Sequence, residues 1–297
     1  MPSGKDIRRR IKGVKSTGKI TRAMEMISAV KMRRAVERAL AMRPYAQAVL
    51  SVLHRVTVAV KHERHPLLLE RPVKRELYVV ITSNRGLCGS FNTQVLRKLR
   101  EARAEDKDRT AAFITLGKKG EQAVRRMQGD IIASFPEVFE YPRVTDMQPI
   151  VRIILDEFLA GRVDRVVMVY TDYVSALVQK VKVRALLPAT EKDAKKMLDE
   201  IGLETNGDMG GGDFLIEPFP ETVLETIIPR LIEAELYHAV LESNASQEAA
   251  RMVAMRSATD AAQEMTADLT LAYNQLRQGK ITQEIAELSA GMAAVQG

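Results

Sequence analysis

From Glu221 to Gln278 the sequence holds no glycine and a single proline, Pro229. This stretch constrains the fold more than any other, because only a long helix runs so far without a turn residue. A helix of about 70 residues would extend roughly 105 Å at 1.5 Å per residue. Within it Ala262, Met265, Leu269, Ala272 and Leu276 follow alternating steps of three and four, the spacing of a coiled-coil seam. After Gly279 the phase slips, and Ile281, Ile285, Leu288, Met292 and Val295 form a new stripe. Pro229 predicts a kink near the helix start.

The N-terminal segment shows the same period. Ile7, Ile11 and Val14 make one stripe, and Ile20, Met24, Ile27 and Val30 are expected to continue it. Pro44 predicts a kink, after which Ala48, Leu50, Val52, Leu53 and Val56 resume an apolar face. Charge complements the pattern. Residues 1–43 carry 13 basic and 3 acidic side chains, a balance of +10, whereas residues 221–297 carry 5 and 11, a balance of −6. Packed antiparallel, two such helices cover each other's seams. Their long-range attraction favours pairing, although each exposed ion pair adds only about 0–1 kcal/mol.

The middle of the chain is different. Eleven of the 14 aromatic residues fall between Tyr78 and Phe219. Large rings suit a globular core better than a narrow helix–helix seam. Strands are predicted at 77–82, 111–116, 165–174 and 178–187, with helices from about Thr93 to Arg103, after GKKG as far as Met127, and over Ile150–Leu159. Alternating strand and helix predicts a parallel sheet, with an added hairpin from the last two strands. Residues 190–213, charged and ending in NGDMGGGD, read as a loop. The domains expected are therefore an N-terminal coiled-coil helix over 1–60, a central α/β domain over 75–218, and a C-terminal coiled-coil helix over 220–297 that pairs with the first.

Several function classes fall away. No window approaches 18 consecutive apolar residues, the length of a membrane span. The basic N-terminus lacks the apolar core of a signal peptide. One cysteine, Cys88, leaves no internal disulfide and no cysteine-based zinc cluster. The run SNRGLCGSFN, with Gly86 and Gly89 between a strand and a helix, stands where a phosphate could bind, but it matches neither GxxxxGK[ST] nor GxGxxG and reads as a structural turn. Cys88 has no histidine near it in sequence and reads as a spectator thiol. No Ser/His/Asp or paired-carboxylate constellation stands out, so no catalytic residue, metal or cofactor is expected. The basic N-terminus leaves one alternative, a nucleic-acid-binding helical protein, which steeply salt-dependent DNA binding would reveal. Against it, Ile7, Ile11 and Val14 commit one face to packing, and no aromatic residues interleave the charges to stack on bases.

Three segments, IRRRIKGVKSTGKITRAMEMISAVKMRRA (7–35), SNRGLCGSFN (83–92) and ARMVAMRSATDAAQEM with LTLAYNQLRQGKITQEIAEL (250–288), resemble the gamma subunit of F-type ATP synthases in order and spacing. The resemblance spans nearly the whole chain. It implies an antiparallel coiled coil of the N- and C-terminal helices with a central Rossmann-like α/β domain. It implies as partners the alpha, beta and epsilon subunits and the c-ring, with no nucleic acid. The implied role is a rotor shaft that couples proton-driven rotation to the alpha/beta catalytic sites without an active site of its own. With no transit peptide, a bacterial location is expected, peripheral on the cytoplasmic face of the plasma membrane and reached through the c-ring.

The same resemblance suggests individual contacts. Met24, in KITRAMEMI, matches a position that touches the moving C-terminal region of beta. Arg277 and Gln278 match an RQ pair near a beta contact loop, and Thr282 and Glu284 lie in the ITQE run that follows. Glu217, in FLIEP, matches the foot near the c-ring, and Arg8, Arg9 and Arg10 are expected to face polar loops of that ring. The chain departs from the family at Asn84, where aspartate is common, at Gly279, where alanine is usual, and at Pro229. Cys88 stands alone, so the regulatory cysteine pair of chloroplast members is absent.

Overall fold

A computed structural model describes residues 3–59, 66–104, 109–140, 142–189 and 220–296. The chain divides into two compact units, one formed by Val30–Ala250 and the other by Met1–Ala29 with Arg251–Gly297. Two long helices contribute to both, α1 (Gly4–Ala59) and α5 (Pro220–Gln296). Each is a single helix that continues through its proline, Pro44 in α1 and Pro229 in α5.

The Val30–Ala250 unit is built on a five-stranded sheet. Its strands are β1 (Arg75–Ile81), β2 (Thr110–Leu116), β3 (Asp130–Ser134), β4 (Arg165–Tyr173) and β5 (Gln179–Leu187). The order is β3-β2-β1-β4-β5, with β5 antiparallel to β4 and the other neighbours parallel. The intervening helices are α2 (Phe91–Ala104), α3 (Lys118–Arg126) and α4 (Gln148–Leu159). The parallel sheet and its added hairpin match the sequence expectation. The edge strand β3 was not expected; its five residues, DIIAS, show no alternation of apolar and polar residues.

Apolar runs rather than alternating ones build the central strands, because both faces are covered. On one face Leu77, Val79, Ile81, Ile114, Met168 and Tyr170 pack with α4 and with Leu224–Val240 of α5. On the other Tyr78, Val80, Phe113, Val167 and Val169 pack with Val95 and Leu99 of α2 and Val124 of α3. A buried carboxylate lies among these groups. Glu76 accepts hydrogen bonds from Arg109 at 2.9 Å and from the Tyr78 hydroxyl at 2.5 Å. Burial, reinforced by the Glu76 bond, raises the Tyr78 phenol well above its ordinary value.

β1 pairs with β4 only as far as Val80 and Val169. Beyond that point α5 satisfies the β4 backbone. The Thr171 amide donates to Ser243 Oγ at 3.1 Å, the Ser243 and Ser246 hydroxyls donate to the Thr171 carbonyl at 3.4 and 3.5 Å, and the Tyr173 amide donates to Glu242 at 2.8 Å. Buried backbone groups need partners, and short polar side chains on a packed helix supply them where a strand is missing.

Acid should weaken this unit. Burial pulls the Asp164 carboxyl upward, but the amides of Lys74 and Arg75, donating at 2.8 and 3.0 Å, outweigh it and hold the group below its ordinary value. Hydrogen bonds from Ser134 and Arg125 likewise lower Glu121. A carboxyl whose folded value is depressed stabilises the native state above its unfolded value, and that contribution is lost as pH falls through the folded one. Chemical-denaturation midpoints should therefore fall between about pH 5 and pH 3, and Asp164→Asn should flatten the dependence. An unchanged pH profile in that variant would remove Asp164 as a cause.

Candidate functional interface

In the second unit α1 and α5 form an antiparallel pair. A Cβ placed on Gly4 would meet Leu276 at 3.3 Å and Tyr273 at 3.8 Å, and one on Gly18 would meet Ala262 at 3.4 Å. The Thr21 and Thr259 hydroxyls lie 2.7 Å apart in a buried hydrogen bond. Residue numbers that rise along α1 thus fall along α5, as expected of a coiled coil.

The seam itself differs from the sequence expectation. On α5 the less exposed positions from Met255 on are Met255, Ala258, Thr259, Ala262, Thr266, Leu269, Tyr273 and Leu276, of which all but Ala258 follow one seam. The steps of three and four are present, but Thr266 and Tyr273 replace Met265 and Ala272, and Met265 is 53% exposed. On α1 the inward positions after Val14 are Gly18, Thr21, Glu25 and Ser28, whereas Ile20, Ile27 and Val30 are each more than half exposed. Close approach decides the phase. Glycine, alanine and threonines that return their hydroxyls to the preceding turn allow the backbones together. Thr259 donates to the Met255 carbonyl at 2.8 Å and Thr266 to the Ala262 carbonyl at 2.7 Å.

Apolar side chains are thereby left facing outward, and such groups mark interaction surfaces when they are contiguous. Met24, half-buried, flanks the seam beside exposed Ile20 and Ile27. Nearby, Lys15, Lys19 and Arg22 line one wall of a groove of about 760 Å³, with Asp260 and Gln263 on the other.

Past Leu276, every α5 residue as far as Met292 is exposed. Ile281, Ile285, Leu288 and Met292, between 48% and 68% exposed, form one stripe there. Arg277, Gln278, Thr282 and Glu284 share that stretch, with the Thr282 hydroxyl donating to the Gln278 carbonyl at 3.0 Å. The structure places these four within about two turns of one helix. It sets them apart from Met24, which lies near the level of Thr259, about 30 Å along the pair at 1.5 Å per residue. Glu217 and the 190–213 segment lie outside the described residues, as do the side chains expected to form the apolar face beyond Leu50.

The turn between β1 and α2 packs against the N-terminus of α3. At the N-terminus of α3 the amides of Lys118, Lys119 and Gly120 donate to Asn84 Oδ1 at 3.0 Å, the Ser83 carbonyl at 3.0 Å and Thr82 Oγ1 at 2.7 Å. These bonds consume the donors an anion would use. Cys88 is buried, with Asn92 donating to its sulfur at 3.3 Å. Among the described residues no group of His, Cys, Asp and Glu is arranged to hold a metal ion.

The same bonds explain Asn84. Its amide donates to the Pro136 carbonyl at 2.7 Å while its oxygen accepts from Lys118. Aspartate could accept but not donate, and would set a carboxylate against a carbonyl. Asn84→Asp should cost about 1–3 kcal/mol in unfolding free energy. Equal stability by denaturant titration at neutral pH would contradict this assignment.

A family profile described as ATP synthase matches residues 3–295. The ATP synthase gamma chain of Roseiflexus castenholzii is 42% identical over 301 residues, covering 99% of each chain. That of Stenotrophomonas maltophilia is 41% identical over 300 residues, covering 99% of this chain and 100% of its own. Among solved structures, a chain from the central stalk and c-ring of Tetrahymena thermophila mitochondrial ATP synthase aligns with a TM-score of 0.60 at 26% identity, covering 80% of this chain and 99% of that one. A chain from the OSCP/F1/c-ring assembly of Euglena gracilis mitochondrial ATP synthase shares the fold, with a TM-score of 0.68 at 24% identity over 98% of this chain and 94% of that one. Alike over its full length in sequence and in fold, the chain belongs to the gamma-chain family of the ATP synthases.

Proposed function

We propose that this chain is the central rotor shaft of an F-type ATP synthase. It couples proton-driven rotation of a c-ring to conformational cycling of alpha/beta catalytic sites, with epsilon as a further partner, and performs no chemistry itself. The observation that carries the reading is the stretch of α5 from Arg277 to Met292, exposed throughout and bearing both an apolar stripe and the Arg277–Glu284 polar group. A shaft works by biased populations: an asymmetric surface that touches three equivalent sites differently favours a different conformation at each.

Under this reading Arg277, Gln278, Thr282 and Glu284 contact beta, Met24 meets its moving region, and Glu217 and Arg8–Arg10 lie toward the c-ring, the arginines facing its polar loops. The segments 1–60 and 220–297 form the shaft, and 75–218 the foot. No described helix is long and apolar enough to cross a membrane, which suits peripheral attachment through the c-ring, on the cytoplasmic face in a bacterium. No observation favours the nucleic-acid reading, and Ile7, 7% exposed, commits that basic segment to packing.

Reconstitution tests the proposal. Mixed with matching alpha and beta subunits, the chain should assemble and support strong ATP hydrolysis, with none from the chain alone. Failure to assemble with competent partners, or turnover by the isolated chain, would overturn it.

A further inference from the structure

We infer that Gly18, Thr21, Thr259 and Ala262 are positioning residues that lock the axial register of α1 against α5. An antiparallel seam with a heptad repeat is nearly degenerate, because sliding one helix by seven residues again sets seam positions against seam positions. Apolar burial alone therefore discriminates poorly between the native register and its neighbours. The anchorage of the two helices in the other unit is also unequal. Ser243, Ser246 and Glu242 bond α5 to the β4 backbone, whereas Met32 of α1 meets β4 through an O–H···S contact of 3.8 Å from Tyr173. Bonding to β4 thus leaves more of the height of α1 than of α5 to the seam.

Two adjacent features specify it. At Gly18 and Ala262 the helices approach within 3.4 Å of a Cβ contact. One turn further along α1, the Thr21 and Thr259 hydroxyls bond at 2.7 Å, each also within reach of a carbonyl of its own helix, Gly18 at 3.1 Å and Met255 at 2.8 Å. One hydroxyl proton serves the cross-bond and the other a carbonyl, so face to face the pair gains a bond between the helices that neither hydroxyl makes alone. A slip of one heptad toward the α5 C-terminus sets Thr21 against Thr266 and Ser28 against Thr259, so hydroxyl pairing alone does not forbid it. The small pair does. That slip faces Gly18 with Leu269 and Ala262 with Glu25, whose side chain is 15% exposed, and it brings Ile7 against Lys280. The opposite slip sets Thr21 against Met252 and Ala262 against Ile11. Neither preserves both features. If the shaft reading above holds, the lock fixes the axial spacing between Met24 and Arg277.

Cross-linking within the full chain tests the lock without any partner subunit, so its failure would leave the shaft reading untouched. A cysteine at Gly4 (G4C) is combined with L276C to report the native register, or with L269C or Q283C to report a slip of a heptad either way. One heptad is about 10 Å, beyond disulfide reach. Buried Cys88 is common to all variants. On mild oxidation the otherwise native chain should cross-link through L276C alone. Adding T21V, T259V and A262L should raise one of the slipped products at least tenfold, and T21S with T259S, keeping Ala262, should restore the native pattern. Cross-linking solely through L276C after the triple change would overturn the inference. So would loss of all three products, which would make these residues a source of cohesion rather than of register.

Discussion

Alanine in place of Gly117 is expected to lower the unfolding free energy by about 2–4 kcal/mol, with a fall in Tm of about 5–15 °C. Gly117 sits at φ 101° and ψ 139°, a conformation that L side chains rarely adopt. A Cβ there would lie 2.0 Å from the Thr82 carbonyl oxygen and 3.0 Å from its hydroxyl. Neither atom can retreat. The Thr82 amide pairs with Leu116 at 2.8 Å and its hydroxyl accepts from Gly120 at 2.7 Å. Backbone strain and collision thus act together at the junction of β1, β2 and α3. Thermal unfolding followed by circular dichroism measures the effect, and a Tm within 2 °C of the native value would disprove the account. Gly120→Ala should cost less, because Gly120 lies in helical backbone that alanine adopts without strain and its Cβ would collide only with the Thr82 side chain.

The second large effect is functional. The double change Arg277→Ala with Gln278→Ala should leave Tm within about 1 °C, since both side chains are exposed and surface changes seldom exceed about 0.5 kcal/mol. Coupled ATP synthesis by the reconstituted enzyme should nevertheless fall about tenfold or more, the loss of one strong interface contact. Arg277→Lys should recover only part of it, because an ammonium does not reproduce the planar, bidentate donor geometry of guanidinium. Native synthesis and proton pumping in the double variant would remove these residues from the coupling surface.

Legibility in the sequence tracked the kind of force involved. Runs such as LYVVI and RVVMVY announce buried strands because burial on both faces demands continuous apolar chain. β3 went unread because its five residues take their place from β2 and not from their own pattern. Of the two long helices, α5 is legible from its missing breakers and α1 from its apolar period, yet their seam is not. Methionine and isoleucine score as core, but Met265, Ile20 and Ile27 face outward, while the inward positions go to Gly18, Thr21 and Thr266, which let the backbones meet. Hydrophobicity reports what can be buried, whereas a tight seam selects for what is small. Asn84 was unreadable for another reason, since its two partners lie 34 and 52 residues away. The Arg277 group was legible through resemblance alone, because an exposed polar stretch carries no periodic signal.

The bonds from α5 to the end of β4 have a mechanical consequence. Apolar contacts resist separation but slide at little cost, because hydrophobic attraction is non-directional. Hydrogen bonds have preferred distances and angles, and they weaken steeply when displaced sideways. Where Ser243, Ser246 and Glu242 grip Thr171 and Tyr173, the helix is keyed to the sheet in shear. A twisting load on that part of α5 is borne by the β4 backbone, and the joint behaves as a spline rather than as a greased fit.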